Sequence, residues 1–293
     1  MLWNSVTLLK KLPPPLAREA KRALVYPRYW VCRGRARRAA KRYAGRYRHA
    51  AIFIAGMPKS GTTWLEKMLA SYPGYQEVLP PEANVHELKH GESHRFELPE
   101  GCLERLTGLL AIVKMHIPGS ERNVGELAAA GIPYAILYRD LRDVAVSHYH
   151  YVRNTPWHGD YKELSRLGLR EGVRFFVRRR LPEFCHWMNA WADNRDPDNS
   201  VMFAYEDMLD DPAACLRRVL DLYELPADDA AVQRIVEANS FAALSGGREA
   251  GSADDRSFFR SGRAGGWRDV FDAELEDEFR GVAGETLKRF GYE

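Results

Sequence analysis

From residue 50 onward, short apolar runs alternate with stretches whose apolar positions recur at helical spacing. The runs near 50–55, 109–114, 133–138 and 200–205 read as strands. Their alternation with helical patterns predicts a parallel sheet flanked by helices. The first helix is expected from about Thr62 to Ser71, where Tyr72-Pro73-Gly74 stops it. A second, from about Pro182 to Asn194, sets Phe184, Trp187, Met188 and Trp191 on one face, an aromatic stripe expected in the core. Asp211-Pro212 supplies an N-cap and a first-turn proline for a helix reaching Leu222. Residues 245–266, with glycines at 246, 247, 251, 262, 265 and 266, read as loop before a final helix from about Asp272 to Arg289. No repeat and no linker interrupts the chain after residue 48. The expected fold class is therefore α/β, a single domain over 49–293 with a central parallel sheet, preceded by a basic segment, 1–48.

Charge divides the chain at the same place. The net +3 conceals 14 Lys/Arg against the single acid Glu19 in residues 1–48, and 29 bases against 39 acids thereafter. This segment has apolar residues around Leu2, Trp3, Leu8, Leu9 and Leu12, then Pro13-Pro14-Pro15. It lacks the long uncharged core of a secretory signal or a membrane span. It is expected to lie as a basic extension against the acidic domain, with reversible contact to a membrane surface as the second reading. No aromatic-basic module follows it, so nucleic acid is not an expected partner. Cys32, Cys102, Cys185 and Cys215 form no CxxC pair and suggest reduced thiols in a cytoplasmic protein.

The candidate chemistry begins with GMPKSGTTW, Gly56 to Trp64, directly after the apolar run 50–55. A strand, a Gly-rich turn and a helix start bring backbone N–H groups and the positive end of a helix dipole to one point, which suits a phosphate. Lys59 adds charge, and Ser60, Thr62 and Thr63 add hydroxyls. The lysine precedes Gly61 by two residues, so the nucleoside triphosphate pattern GxxxxGK[ST] fails. A kinase or triphosphatase would also need a magnesium-binding acid, whereas the strand at 133–138 is followed first by Arg139. A nucleotide-binding protein without turnover is the third class considered. Downstream, Arg139 opens RDLRDVAVSHYH at the carboxyl end of a strand, where open α/β sheets bind ligands, and Ser147 follows in a helix. Lys114 and His116 sit two apart at the end of another strand, so both side chains face one cleft.

The loop PKSGTTW resembles the 5′-phosphosulfate loop of the cytosolic-type sulfotransferases, which use 3′-phosphoadenosine 5′-phosphosulfate (PAPS). The resemblance covers about Ala50 to Phe271 and implies a P-loop-like nucleotide fold. It assigns Lys59, Ser60, Gly61, Thr62 and Thr63 to the phosphosulfate, Trp64 to stacking on adenine, and Arg139 with Ser147 to the 3′-phosphate. The segment Phe259 to Arg268 is similar to the family's RKGxxGDWK: Arg260 and Gly262 match, Ser261 replaces a lysine, and Gly266 replaces an aspartate. Tyr205 in YEDM and Asn239, which replaces a threonine, look like further nucleotide-side elements. Lys114-x-His116-x-Pro118 matches the family's KxHxP, with His116 as the implied base.

The implied reaction is in-line attack on the sulfur of PAPS by an acceptor hydroxyl or amine, releasing adenosine 3′,5′-bisphosphate. Histidine has the intrinsic pKa to take the acceptor's proton near neutrality. Lys59 would stabilise charge on the bridging oxygen, Lys114 would assist at the sulfuryl oxygens, and Ser147 would hold Lys59 back until an acceptor arrives. No metal is expected. His86-Glu87-Leu88-Lys89-His90 fits HExxH, but Pro80-Pro81 and Gly91 leave barely two turns for a zinc-binding helix, so a surface or acceptor-side segment is expected there. Segments 75–105 and 152–180 are expected to set acceptor choice, with Trp157, Tyr161, Phe175, Phe176, Phe184 and Trp187 as candidate apolar walls. The acceptor is left as a small molecule, a lipid or a carbohydrate. The family's KxxxTVxxxE dimer motif is not visible in RDVFDAELEDEF after Trp267, so the oligomeric state stays open.

Overall fold

The computed structural model describes residues 8–90 and 93–293, so Leu2, Trp3 and Gly91 lie outside the described residues. In chain order come α1 (Pro14–Arg42), β1 (Ala51–Gly56), α2 (Thr62–Leu69), β2 (Gln76–Glu77), α3 (Pro81–His90), β3 (Ala111–Met115), α4 (Glu121–Ala129), β4 (Tyr134–Tyr138) and α5 (Leu141–Arg153). Then follow α6 (Tyr161–Leu164), α7 (Leu169–Arg179), α8 (Leu181–Asn194), β5 (Ser200–Ala204), α9 (Tyr205–Asp210), α10 (Pro212–Leu222), α11 (Asp229–Ala238), α12 (Phe241–Ser245) and α13 (Ala273–Arg289). The five strands form one sheet in the order β2-β3-β1-β4-β5, every pair parallel. This is the single α/β domain expected from the alternating pattern.

The strands carry apolar side chains on both faces because both are covered. Phe53, Ala55, Val113 and Ile136 point into one core with Trp187, Met188 and Trp191 of α8. Their neighbours Ile52, Ile54, Ile112 and Leu137 point into the other, with Leu65 and Met68 of α2 and Leu216 of α10. The aromatic stripe of α8 is thus core, and it also ties down the sheet's carboxyl edge: Trp187 Nε1 and Trp191 Nε1 donate to Ile117 O at 2.7 and 3.0 Å. Pairing aligns Ile54 with Lys114, Ala55 with Met115, and Gly56 with Leu137. The ends of β1, β3 and β4, which carry the candidate motifs, therefore open on one side of the sheet.

The basic segment is the largest departure from the expected elements. The Pro13-Pro14-Pro15 triplet starts a helix of 29 residues, with proline in the first turn. Proline lacks only an N–H that the helix start leaves unused, so it is accommodated there, and α1 also runs on through Pro27 in its interior. Ala17, Val25, Tyr29 and Ala36 are the buried residues of α1. Ala36 O accepts from Leu110 N at 3.2 Å, and the acidic domain answers the basic helix with Glu87 beside Lys21 and Glu77 beside Arg28, each at 3.8 Å. Among the described residues, no helix is long and apolar enough to cross a membrane.

Candidate active site

The loop between β1 and α2 is built by backbone geometry. Gly61 takes φ +83°, and a Cβ there would meet Tyr205 Cδ2 at 2.6 Å. Only glycine allows that turn and that approach together. Lys59 holds φ +72° without being glycine, a strained conformation of the kind concentrated at functional sites. The first turn of α2 then presents its N–H groups toward the loop. The Ser60 hydroxyl, expected to face a ligand, instead donates inward to Met57 O at 2.7 Å and Leu137 O at 3.1 Å. It is fully buried, and its bonds lock the turn to the ends of β1 and β4.

A cavity of about 360 Å³ opens above this loop. Lys59, Gly61, Thr62, Thr63, Trp64, Lys114, His116, Arg139, Ser147, Tyr205, Asn239, Arg260, Ser261 and Gly262 all line it. Every nucleotide-side and catalytic residue expected from the sequence except Ser60 thus meets in one space.

Arg139 is nearly buried, and its side chain closes the site from below. It donates to Lys59 O at 3.3 Å and Arg263 O at 2.9 Å, and lies 3.4 Å from Asp143. Its guanidinium stands 4.3 Å over the Tyr205 ring, and its Nε is buried without a hydrogen-bond partner. Asp143 receives Gly265 N at 2.7 Å and Trp267 N at 3.0 Å. Arg139, just after β4, and Asp143, in the first turn of α5, therefore fasten the C-terminal loop over the phosphate loop. Gly262 turns at φ +62°, with Phe241 packed where a Cβ would stand. Beside it, Trp64 and Tyr205 meet edge to face at 6.3 Å. Asn239 bonds Ile235 O at 2.8 Å and Ser71 Oγ at 3.3 Å, which fixes the end of α11 at the cavity wall.

Lys114 and His116 do face one cleft, and each is held differently. Lys114 donates to Thr63 Oγ1 at 3.1 Å and pairs with Glu66, joining β3 to the first turns of α2. His116 Nδ1 lies 2.5 Å from Gly56 O. A carbonyl only accepts, so Nδ1 carries the proton and Nε2 keeps its lone pair. Burial pushes the His116 imidazole down to about 4, a shift that Lys114 and His94 reinforce and the Gly56 bond and Glu87 oppose. The ring is consequently neutral at pH 7. Lys59 is pushed down to about 7, first by burial and then by Arg139, Lys10, Arg260 and Lys114. Its ammonium stands 4.3 Å over the Tyr151 ring and 5.0 Å over Phe258.

The opposite wall departs from the expected apolar pocket. Of the six aromatics considered, Phe184 lines the cavity and Trp157 an adjoining space. Phe176 and Trp187 belong to the main core, while Tyr161 and Phe175 pack on the cluster around Tyr149. Polar groups take their place: Glu87, His94, His148, His158 and Arg180. His94 Nε2 lies 2.6 Å from Glu183, and Arg180 grips Asp160 through two bonds of 2.9 and 2.7 Å. Burial lowers the pKa of both His148 and His158, the latter to about 3. His148, His158 and Asp160 form the one group among the described residues with metal-ligand proximity, yet Arg180 already occupies the carboxylate with its own positive charge. The HELKH segment does lie on a helix, α3, with the His86 and His90 rings 4.4 Å apart. Its Glu87 lines the cavity, so the segment contributes to the cavity wall.

Residues 49–291 match the sequence model of the sulfotransferase domain. The chain belongs to the sulfotransferase family. Its relatives include cytosolic sulfotransferase 13 of Arabidopsis thaliana, 28% identical over 258 residues that cover 82% of this chain and 78% of the relative. The flavonol 3-sulfotransferase of Flaveria bidentis is 25% identical over 282 residues, covering 81% and 84%. Among solved structures, a mouse sulfotransferase complexed with PAP superposes with a TM-score of 0.62 at 18% identity, covering 87% of this chain and 89% of the other. A retinol dehydratase in a complex with retinol and PAP gives 0.59 at 22% identity and 86% of each chain. Those structures share the fold of this sulfotransferase.

Proposed function

We propose that this sulfotransferase moves a sulfuryl group from PAPS to a hydroxyl of a small-molecule acceptor, with His116 as general base. The observation that carries the reading is the His116 Nδ1 to Gly56 O bond, which leaves an unprotonated Nε2 in the cavity that also holds the phosphate loop. The residues fit the donor: α2 begins at the Gly61 turn, the Arg139 side chain has a buried Nε still to be satisfied, and Trp64 and Phe241 supply aromatic faces to the cavity lining. PAPS supplies an activated sulfuryl group. The acceptor oxygen attacks sulfur as its proton passes to His116 Nε2, and the bond to the bridging phosphate oxygen breaks. Lys59 neutralises charge at that oxygen, while Lys114, held by Thr63 and Glu66, meets the sulfuryl oxygens. Ser147, half-buried in the same cavity lining, meets Lys59 or the 3′-phosphate in this reading. The flavonol and retinol names of relatives support a small hydroxylated acceptor. The cytosolic name of another, with four free cysteines here, supports a cytoplasmic placement.

Calorimetric titration with adenosine 3′,5′-bisphosphate and with ADP tests the donor site. The bisphosphate is expected to bind at least about tenfold more tightly, and Arg139→Ala to erase most of that preference, by removing a charge-assisted bond worth roughly 1.5–3 kcal/mol. Equal binding of the two nucleotides by the unaltered protein would defeat the donor assignment.

We also propose that α1 makes reversible contact with an anionic membrane surface. Leu16, Tyr26 and Trp30 are exposed on its outward side, among the lysines and arginines of the basic segment. The full-length enzyme is expected to co-float with phosphatidylserine-containing vesicles at low salt and to be released as salt rises. Equal recovery with neutral and anionic vesicles would reject the contact.

A further inference from the structure

A second space of about 290 Å³ adjoins the main cavity, and Lys59, Thr63, Lys114, Ser147, Tyr151 and Arg260 line both. Its remaining lining includes cations that the donor reading does not use. Lys10 and Arg28 enter from the N-terminal segment, Lys67 from α2, and Arg256 from the C-terminal loop. Trp157 and Phe258 provide flat apolar surface between them. Two acids line the space, Glu66 and Glu77: the first is paired with Lys114, and the second faces Arg28 at 3.8 Å. Cations therefore outnumber acids in the lining of this concave space, which favours an anionic occupant. The positive charge reaches the transfer centre, since Lys10 is among the charges that depress Lys59. Partial burial also lowers the pKa of Lys10 itself.

We infer that this space is an acceptor subsite for a negatively charged group. It would take a flat hydroxylated molecule carrying a carboxylate, sulfate or phosphate, with the hydroxyl toward His116 and the anion among Lys10, Arg28 and Arg256. The inference rests on the sulfotransferase reading above and adds the charge of its substrate. It also gives the basic N-terminal segment a part in acceptor choice, since without Lys10 and Arg28 the space loses the cations of its outer wall. The donor's own phosphates are the other source of negative charge that such a space could meet, and the test separates the two.

The full-length enzyme, saturated with adenosine 3′,5′-bisphosphate, is titrated with 2-naphthol and with 6-hydroxy-2-naphthoate, and both are then assayed with PAPS. The carboxylate is expected to bind more tightly and to be used with a kcat/KM at least about tenfold higher, an advantage that shrinks as salt rises. In a Lys10→Glu/Arg28→Glu variant the ratio between the two acceptors is expected to collapse, while affinity for the bisphosphate is retained. Equal or absent binding of the two naphthols by the unaltered enzyme would overturn the subsite. So would a ratio untouched by the double substitution, or a loss of bisphosphate affinity in step with it, which would assign the cations to the donor. Failure of the enzyme to bind the bisphosphate at all would overturn the parent reading, and the subsite with it.

Discussion

His116→Ala is expected to lower kcat by about 10²–10⁴-fold, the usual worth of a positioned general base, while leaving affinity for adenosine 3′,5′-bisphosphate within about twofold. The loss is this large because the ring is prepared for one task. Gly56 O, at the end of a fully buried strand, fixes the Nδ1 proton, and α8 holds the chain behind the ring through Trp187 Nε1, 3.1 Å from His116 O. His116→Asn separates chemistry from positioning: its amide can still reach Gly56 O, yet it takes no proton, so it should be as slow as alanine. The pH dependence carries a sign. Because burial holds the imidazole near 4, His116 is neutral and competent above that pH and is lost as a base when pH falls through it. The acid limb of kcat/KM is therefore expected near pH 4, well below the ordinary histidine range. An asparagine or alanine variant within tenfold of the unaltered enzyme would remove His116 from the chemistry.

The donor half of this site was legible in the sequence because its physics is local. A phosphate loop needs a strand, a glycine that can turn at φ +83° and a helix start, and all three fall within residues 51–69. Lys114 and His116 follow from the two-residue period of one strand. The opposite wall of the cavity is assembled differently. Glu87, His94, His148, His158 and Arg180 come from separate helices and loops and share no spacing, so only the packed fold brings them together. One signal was available: Ser147 and Tyr151 stand four apart on α5, so a helix that turns Ser147 to the cavity also turns Tyr151 to it. Aromaticity was a poor guide, since Phe176 and Trp187 satisfy the core while imidazoles and an arginine face the cavity. The N-terminal helix stayed hidden for another reason. Its charges are spread around the helix and its buried residues are widely spaced, so no apolar stripe betrays it, and its prolines look like a break.

Lys59→Ala is expected to lower kcat/KM by about 10²–10³-fold, comparable with removing one donor from a preorganised anion site. The charged form of Lys59 is the useful one, and its pKa near 7 makes that form conditional. Burial and the neighbouring Arg139, Lys10, Arg260 and Lys114 all favour loss of its proton. In the free enzyme the ammonium is thus present below pH 7 and is lost as pH rises through that value. Since kcat/KM reports the free enzyme, an alkaline limb is expected near pH 7, and with the limb near 4 it makes a broad bell. Donor anions beside Lys59 reverse the balance by favouring the ammonium, so the alkaline limb of kcat should lie at higher pH than that of kcat/KM. Lys59→Arg keeps a charge that does not titrate in this range and should move the limb out of the profile even where it slows transfer. An alkaline limb unchanged in Lys59→Arg would mean that another group titrates there, and the stabilising charge at the bridging oxygen would have to come from elsewhere in the cavity.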